Sequence, residues 1–303
     1  MREFSPLTLS NPITQLNNEP GTPAFWLFSQ YLVNEFQLAQ LYEPGVLRDQ
    51  ESEYLHQYRV SLRRCRSLLS IMAGLYQSKP VSLLLQQFKT LMEPTGKVRD
   101  LDVFINPQSH DAAIFAKLTP LLPFVQTERA QAFELLTLWL KGKEYRELKQ
   151  ATYASLLDCA QHPSDMGLGD IAEFAQTQWN EHHKRLLKRI DKVDAHSSDE
   201  AIHNVRIAGK KVRYLADFGL AFKLNTRSGL SLKKLKQLQT ELGEFNDTAS
   251  QIVFCRDHLA PLQYEVQTSG AIADFIEHTL QRHKQSKQRI LRTLHKLHRR
   301  NRP

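Results

Sequence analysis

The stretch "HQYRVSLRRCRSLL", residues 56–69, puts a histidine and four arginines within eleven positions of a pattern that otherwise reads as a packed helix. It returns at residues 203–216 as "HNVRIAGKKVRYLA". A shift of 147 residues, with no gap, lays His56 on His203, Arg59 on Arg206, Arg63 and Arg64 on Lys210 and Lys211, and Arg66 on Arg213. The same register matches Glu53 with Glu200, Leu68 with Leu215, Leu85 with Leu232, Lys89 with Lys236, Gly96 with Gly243 and Asp100 with Asp247. Each histidine-basic segment is therefore followed 44 residues later by an aspartate. A match of this extent is the signature of a duplicated unit.

Helical geometry says what the spacing does. Positions 0, 3, 7 and 10 after the histidine fall in a stripe about 80° wide and about 15 Å long. His56, Arg59, Arg63 and Arg66 share that face. Leu55, Tyr58, Leu62, Cys65, Leu68 and Leu69 fill the remainder, as Ile202, Val205, Ala208, Val212 and Leu215 do in the second copy, so each basic helix is amphipathic. Like charges one turn apart repel by a few tenths of a kcal/mol per pair when exposed, and by more when shielded from water. Two kinds of compensation are open. Asp100, Asp247 and nearby glutamates would serve as internal counter-charges, or an external polyanion would. The recurrence favours the polyanion, because two aspartates cannot neutralise two histidines and eight arginines and lysines. Arginine suits phosphate oxygens through its planar fork, and lysine supplies a point charge.

The rest of the chain reads as helix. Leu, Ala, Gln, Glu, Lys and Arg dominate, and apolar residues recur at three- and four-residue spacing, as in "FWLFSQYLVNEFQLAQLY" and "LKKLKQLQTELGEF". The fold class expected is all-α. Helices are expected near 24–42, 51–75, 80–105, 122–142, 145–160, 168–192, 199–222, 230–258 and 264–298. Pro44-Gly45, Pro80, Pro94 to Gly96, Pro107, Pro120 to Pro123, Pro163 to Gly169 and Pro261 mark the turns. The organisation expected is an N-terminal extension (1–23), a domain over 24–298 with repeat halves 24–160 and 168–298, and a basic end (299–303).

Length and composition bound the rest. With 303 residues and 41% hydrophobic content, the chain can bury a sizeable core. Cys65, Cys159 and Cys255 form no CxxC pair, which argues against a disulfide framework and for a reducing compartment. No signal sequence is visible at the N-terminus and no run of about 18 apolar residues occurs, so a cytoplasmic protein away from the membrane is expected. The net charge of +8 is misleading as a whole-chain signal, since residues 281–303 hold nine Lys and Arg with no acidic residue. The remainder is near neutral, and a basic site within it must show itself by clustering.

The segments "EYLHQYRVSLRRCRSLL" with "GKVRDLDVF", and "EAIHNVRIAGKKVRYLADF" with "LQTELGEFNDTAS", resemble the conserved histidine α-helical domain, CHAD, over residues 24 to 298. The resemblance implies an all-α fold of two similar helical bundles about a pseudo-two-fold axis. It also implies binding of inorganic polyphosphate on a central basic surface, with association to polyphosphate granules. Carried over residue by residue, it puts His56, Arg59, Arg63, Arg64 and Arg66, with His203, Arg206, Lys210, Lys211 and Arg213, at the anion site. Lys89, Lys236 and Arg99 are weaker additions. Asn246 stands where its repeat mate Arg99 supplies charge, so the second half offers less there. Many relatives carry an N-terminal triphosphate-tunnel domain, and "MREFSPLTLS" shows no Glu-x-Glu-x-Lys strand of that kind; a stand-alone binding domain is expected.

Other constellations weigh less. His110-Asp111 is a dipeptide found among metal ligands of helical phosphohydrolases, but it lies beside Pro107 without partner ligands at matching spacing. Basic residues three and seven residues after each motif histidine, Arg59 and Arg63, and Arg206 and Lys210, repel a cation, so no metal or cofactor is expected. Trp26, Trp139 and Trp179 fall in apolar helical stretches and read as core rather than as stacking platforms. No phosphate-binding Gly-rich loop, serine elbow or Cys-His pair argues for an enzyme. Nucleic acid is the alternative polyanion, though neither a groove-reading helix nor interleaved exposed aromatics stand out.

Overall fold

Apolar side chains at three- and four-residue spacing carry helices through nearly all of the described chain. The computed structural model describes residues 21–106, 115–116, 119–222, 232–259 and 266–300. In order these are α1 (Ala24–Leu47), α2 (Ser52–Ile71), α3 (Ser78–Met92), α4 (Gly96–Ile105), α5 (Leu122–Lys141), α6 (Lys143–Gln161), α7 (Ile171–Ile190), α8 (Asp199–Ala221), α9 (Leu232–Phe254) and α10 (Val266–Arg300). Short 3-10 turns cover Ala73–Leu75, Glu93–Thr95, Thr119–Leu121 and Asp165–Leu168, and a π turn follows α9 at Cys255–Leu259. Among the described residues there is no strand, only an isolated bridge between Tyr76 and Pro163. His110-Asp111 and most of the N-terminal extension lie outside the described residues.

Helix starts repeat in the register read from the sequence. Ala24 of α1 and Ile171 of α7, and Ser52 of α2 and Asp199 of α8, are each 147 residues apart. The copies then diverge for local reasons. In the first, Pro94 lacks an N–H and breaks the helix expected over 80–105 into α3, a 3-10 turn and α4. Glu241 stands at that register in the second copy, and α9 runs through it. Gly142 separates α5 from α6, in a site where a Cβ would come within 3.1 Å of the Trp139 carbonyl oxygen. Its register mate is Arg289, well inside the continuous α10.

Pro44-Gly45 does not make the expected turn, since α1 continues to Leu47. The chain reverses at Asp49, which takes the left-handed conformation (φ 50°) that short polar side chains tolerate. Gly45 serves packing instead: a Cβ there would fall 2.0 Å from the Tyr54 ring that opens α2.

The chain divides into two compact units that do not follow the repeat halves. The first comprises residues 1–102, 129–179 and 214–227; the second comprises 103–128, 180–213 and 228–303. Within the first, α1 packs on α2 and α6, and α3 packs on α2 and α6. Aromatic packing explains why the end of α8 belongs there: Phe218 stands edge-on to Phe28 (5.7 Å) and Tyr31 (5.2 Å), with Phe222 at 4.7 Å. Within the second, α9 packs on α10, and Phe104 joins it through Phe254 (4.9 Å) and Phe275 (5.7 Å). Leu186, Ile190, Ile202, Val205, Leu238 and Ile290 complete its core. Gly209 of α8 is required by a close approach, since a Cβ would lie 2.2 Å from Nε2 of Gln239.

Trp179 is buried, but Trp26 is 47% exposed and is not the core residue its apolar surroundings suggested. The three cysteines are buried free thiols, and burial pushes Cys159 and Cys255 up to about 12. Truncating the central aromatic, Phe218→Ala, is expected to cost about 3–5 kcal/mol of stability, measured as a lower denaturant midpoint with little change in helical signal.

Candidate functional site

In the first unit α2 turns its apolar residues inward, with Leu62, Cys65, Leu68 and Leu69 fully buried. This leaves His56, Arg59 and Arg63 half-buried on the opposite face and Arg66 exposed. The facing helix, α4, is held by Arg129 of α5. Its Nε donates to Asp102 Oδ1 at 2.8 Å, and Nη1 and Nη2 donate to the two Asp49 oxygens at 2.5 Å each. That clamp fixes the helix that carries Arg99 and Asp100.

Arg59 is anchored by the break at Pro94. The Gly96 N–H turns to the Glu93 carbonyl, so the Met92 carbonyl accepts instead from the Thr95 hydroxyl (2.5 Å) and from Arg59 Nη1 (3.2 Å). Arg59 Nη1 also donates to Thr95 Oγ1. Burial and the neighbouring Arg63 lower the Arg59 pKa, with Asp100 opposing. Arg99 is lowered by burial and by Arg63, against the pull of Asp102, Glu53 and Asp100. His56 feels the sum: burial first, then Arg99, Arg63 and Arg59, hold it below its usual range, with Glu53 opposing. The group brought together is thus His56, Arg59, Arg63 and Arg99, beside Glu53 and Asp100. Lys89 lies exposed on α3.

Arg64 corrects the sequence reading. Its Nη1 donates to Oε1 of Glu35 on α1 at 2.7 Å, and the Glu35 side chain is 1% exposed. At eight residues beyond His56 it lies about 80° off the stripe, on the side away from Arg66, and pairs with the buried carboxylate there. Burial alone would lower the Arg64 pKa, but Glu35 outweighs it and raises it. Burial pushes the Glu35 carboxyl up against the pull of Arg64. This arginine is structural. The signal that sequence reasoning missed was the lone glutamate inside the apolar run "YLVNEFQL".

In the second unit the stripe is more open. His203 is exposed, and its Nδ1 donates to Oδ1 of Asn246 on α9 at 3.0 Å. Asn246, which replaces the register mate of Arg99, thereby orients the imidazole rather than repelling it. Arg206 and Lys210 are half-buried, Arg213 is exposed, and Lys236 is exposed on α9. Asp199 secures the start of α8 to α10 by accepting from His283 Nε2 (2.9 Å) and Lys287 Nζ (2.8 Å). Lys211 is lowered by burial, then by Arg185 and Arg189 of α7. His182, buried on α7, is pushed down to about 4 by burial, then by Lys211 and Arg185, against Glu181.

Among the described residues no three His, Cys, Asp or Glu side chains cluster as a metal-binding group, and no helix is long and apolar enough to cross a membrane. Two outcomes follow from the electrostatics. Glu35→Ala leaves Arg64 without its buried counter-charge and is expected to cost about 3–5 kcal/mol, read by chemical denaturation. For His182 the native pKa is below the ordinary 6.5, so the unfolded chain binds the proton first. Stability should therefore fall as pH drops from about 6.5 towards 4, and His182→Gln should flatten that part of the stability profile.

Comparison with known proteins identifies the family and the fold. The family model described as the CHAD domain matches residues 30–256. The crystal structure of the CHAD domain from the plant Ricinus communis superposes with a TM-score of 0.74 at 26% identity, covering 93% of this chain and 95% of that one. PptA from Streptomyces chartreusis superposes with a TM-score of 0.59 at 12% identity, covering 91% and 100%, and supports the fold alone. No curated protein matches the sequence.

Proposed function

The chain belongs to the CHAD domain family, which is associated with polyphosphate binding, and from that premise we propose that it binds inorganic polyphosphate on the basic faces of α2 and α8. The observation that carries the reading is the half-buried group His56, Arg59, Arg63 and Arg99. Burial, with Arg63 and Arg99, lowers Arg59; burial and Arg63 lower Arg99; and burial with all three arginines holds His56 below its usual range, with Glu53 and Asp100 as the acidic neighbours. A chain of phosphates relieves that repulsion. Its oxygens accept from the arginine forks, and its negative charge raises the pKa of His56, so binding draws a proton onto the imidazole. On α8 the donors are His203, Arg206, Lys210 and Arg213, with His203 Nδ1 occupied by Asn246.

The role proposed is binding without turnover, with association to polyphosphate granules as its setting. Lys89, Lys236 and Arg66 lie exposed and add long-range attraction rather than fixed contacts.

A titration with long-chain polyphosphate tests the reading. Arg59→Glu and Arg206→Glu are each expected to weaken binding by roughly tenfold or more, with helical content retained. The slope of log K against log salt should become shallower by about one or more per variant. Affinity indifferent to both charge reversals, or preferential binding of nucleic acid in competition at one salt concentration, overturns the assignment.

A further inference from the structure

The register of 147 residues pairs the buried ion pair of the first unit with a very different pair in the second. Glu35 corresponds to His182 and Arg64 to Lys211. Where the first copy closes a carboxylate on a guanidinium at 2.7 Å, the second sets a lysine beside a buried imidazole. The carboxylate has been lost and its cation kept. What surrounds that lysine has changed in the same sense. Leu38, Leu41, Tyr42 and Gly45 of α1 correspond to Arg185, Lys188, Arg189 and Lys192 on and just after α7. Four apolar or small positions have become four cations.

These cations line a depression of about 600 Å³, open to solvent, whose wall is completed by Asp191. The depression adjoins the basic helix. Arg189 Nη1 donates to the carbonyl oxygen of Asn204, the residue after His203, at 2.8 Å, and Lys211 feels both Arg185 and Arg189. Local counter-charge is small: Glu181 accepts from Arg185 one turn back, and Asp191 is the single carboxylate in the wall. The C-terminal dipole of α7 favours cations in its last turn, but it amounts to about half a charge and cannot account for Arg185, Lys188, Arg189 and Lys192 together with Lys211.

We propose that this depression, formed by Arg185, Lys188, Arg189 and Lys192 beside Lys211, is a further binding site for a condensed phosphate chain, private to the second unit and extending its α8 face onto α7. The inference rests on the polyphosphate reading for the nature of the ligand, and on the α7 geometry for the site. Its chemistry is that of multiple phosphate oxygens: two arginine forks and three ammonium groups around a wet, shallow basin accommodate a flexible polyanion without an apolar contact.

The test compares three full-length variants by titration with long-chain polyphosphate across a salt series: Lys188→Gln/Arg189→Gln/Lys192→Gln, Lys188→Gln/Lys192→Gln, and Arg206→Glu. All three residues changed on α7 and its following turn are exposed, and the double variant keeps the Arg189 to Asn204 hydrogen bond, so unfolding of the triple variant does not decide the matter. The triple variant is expected to make the log K against log salt slope shallower by about two to three, and the double variant by about two. Each is expected to lower affinity at moderate salt by roughly tenfold or more. If Arg206→Glu weakens binding and both α7 variants bind as the parent does, the inference falls and the α8 assignment stands. If the α7 variants weaken binding and Arg206→Glu does not, the α7 site stands and the α8 assignment falls. If all three bind as the parent does, both fall.

Discussion

Like charges on successive helical turns repel, and α2 carries two half-buried arginines, Arg59 and Arg63, beside a third on α4, Arg99, with the imidazole of His56 among them. Packing holds this row in place, and Glu53 and Asp100 beside it offset its charge only in part. The apolar side of α2 is fully buried, so the helix cannot rotate its cations into water without exposing Leu62, Leu68 and Leu69. At about 1.5–3 kcal/mol for each such side chain, burial outweighs pairwise repulsions of a few tenths. Arg129 fastens α4 from the opposite side through two carboxylates, and Asp102, one of these, is itself buried. The result is a group of cations whose mutual cost is sustained by packing.

The duplicated half reaches a comparable charge pattern by different means. In the second unit α9 runs without a break, and side chains hold the start of α8: Asn246 pairs with His203, and Asp199 with His283 and Lys287. Burial also differs, since His56 is half-buried and His203 exposed. A charge in a shielded site acts on a phosphate with less screening by salt, whereas exposed charges act mainly over distance and lose strength as ionic strength rises. One duplicated sequence has thus produced an enclosed cation group and an open one.

What the sequence made legible follows from what sequence periodicity can encode. The amphipathic stripe, the helix starts and the register were all local or translational signals, and each is visible in α1, α2, α7 and α8. The helix ends were less legible. Pro44 reads as a stop, yet α1 runs on through it to Leu47, and Gly45 answers to the Tyr54 ring rather than to a turn. Domain membership was not legible from the repeat at all. Phe218 and Phe104 lie in one half by sequence and in the other unit by packing, because aromatic clusters form with whatever ring is within reach.

The candidate site shows the same division at finer scale. Arg63 and Arg64 are adjacent and chemically identical, and helical angle puts Arg63 within the basic stripe and Arg64 about 80° outside it. Their fates are separated by one glutamate on another helix, 29 residues earlier in the chain, which draws Arg64 inward. In the second copy that position is His182, and Lys211 has no carboxylate to close upon there. Reading which cation of a doublet is structural therefore required knowing the partner helix, and comparing the copies shows how little is needed to change the answer. A single acidic position decides whether the inner cation of the doublet closes on a buried carboxylate, as Arg64 does, or stands among other cations, as Lys211 does beside Arg185 and Arg189.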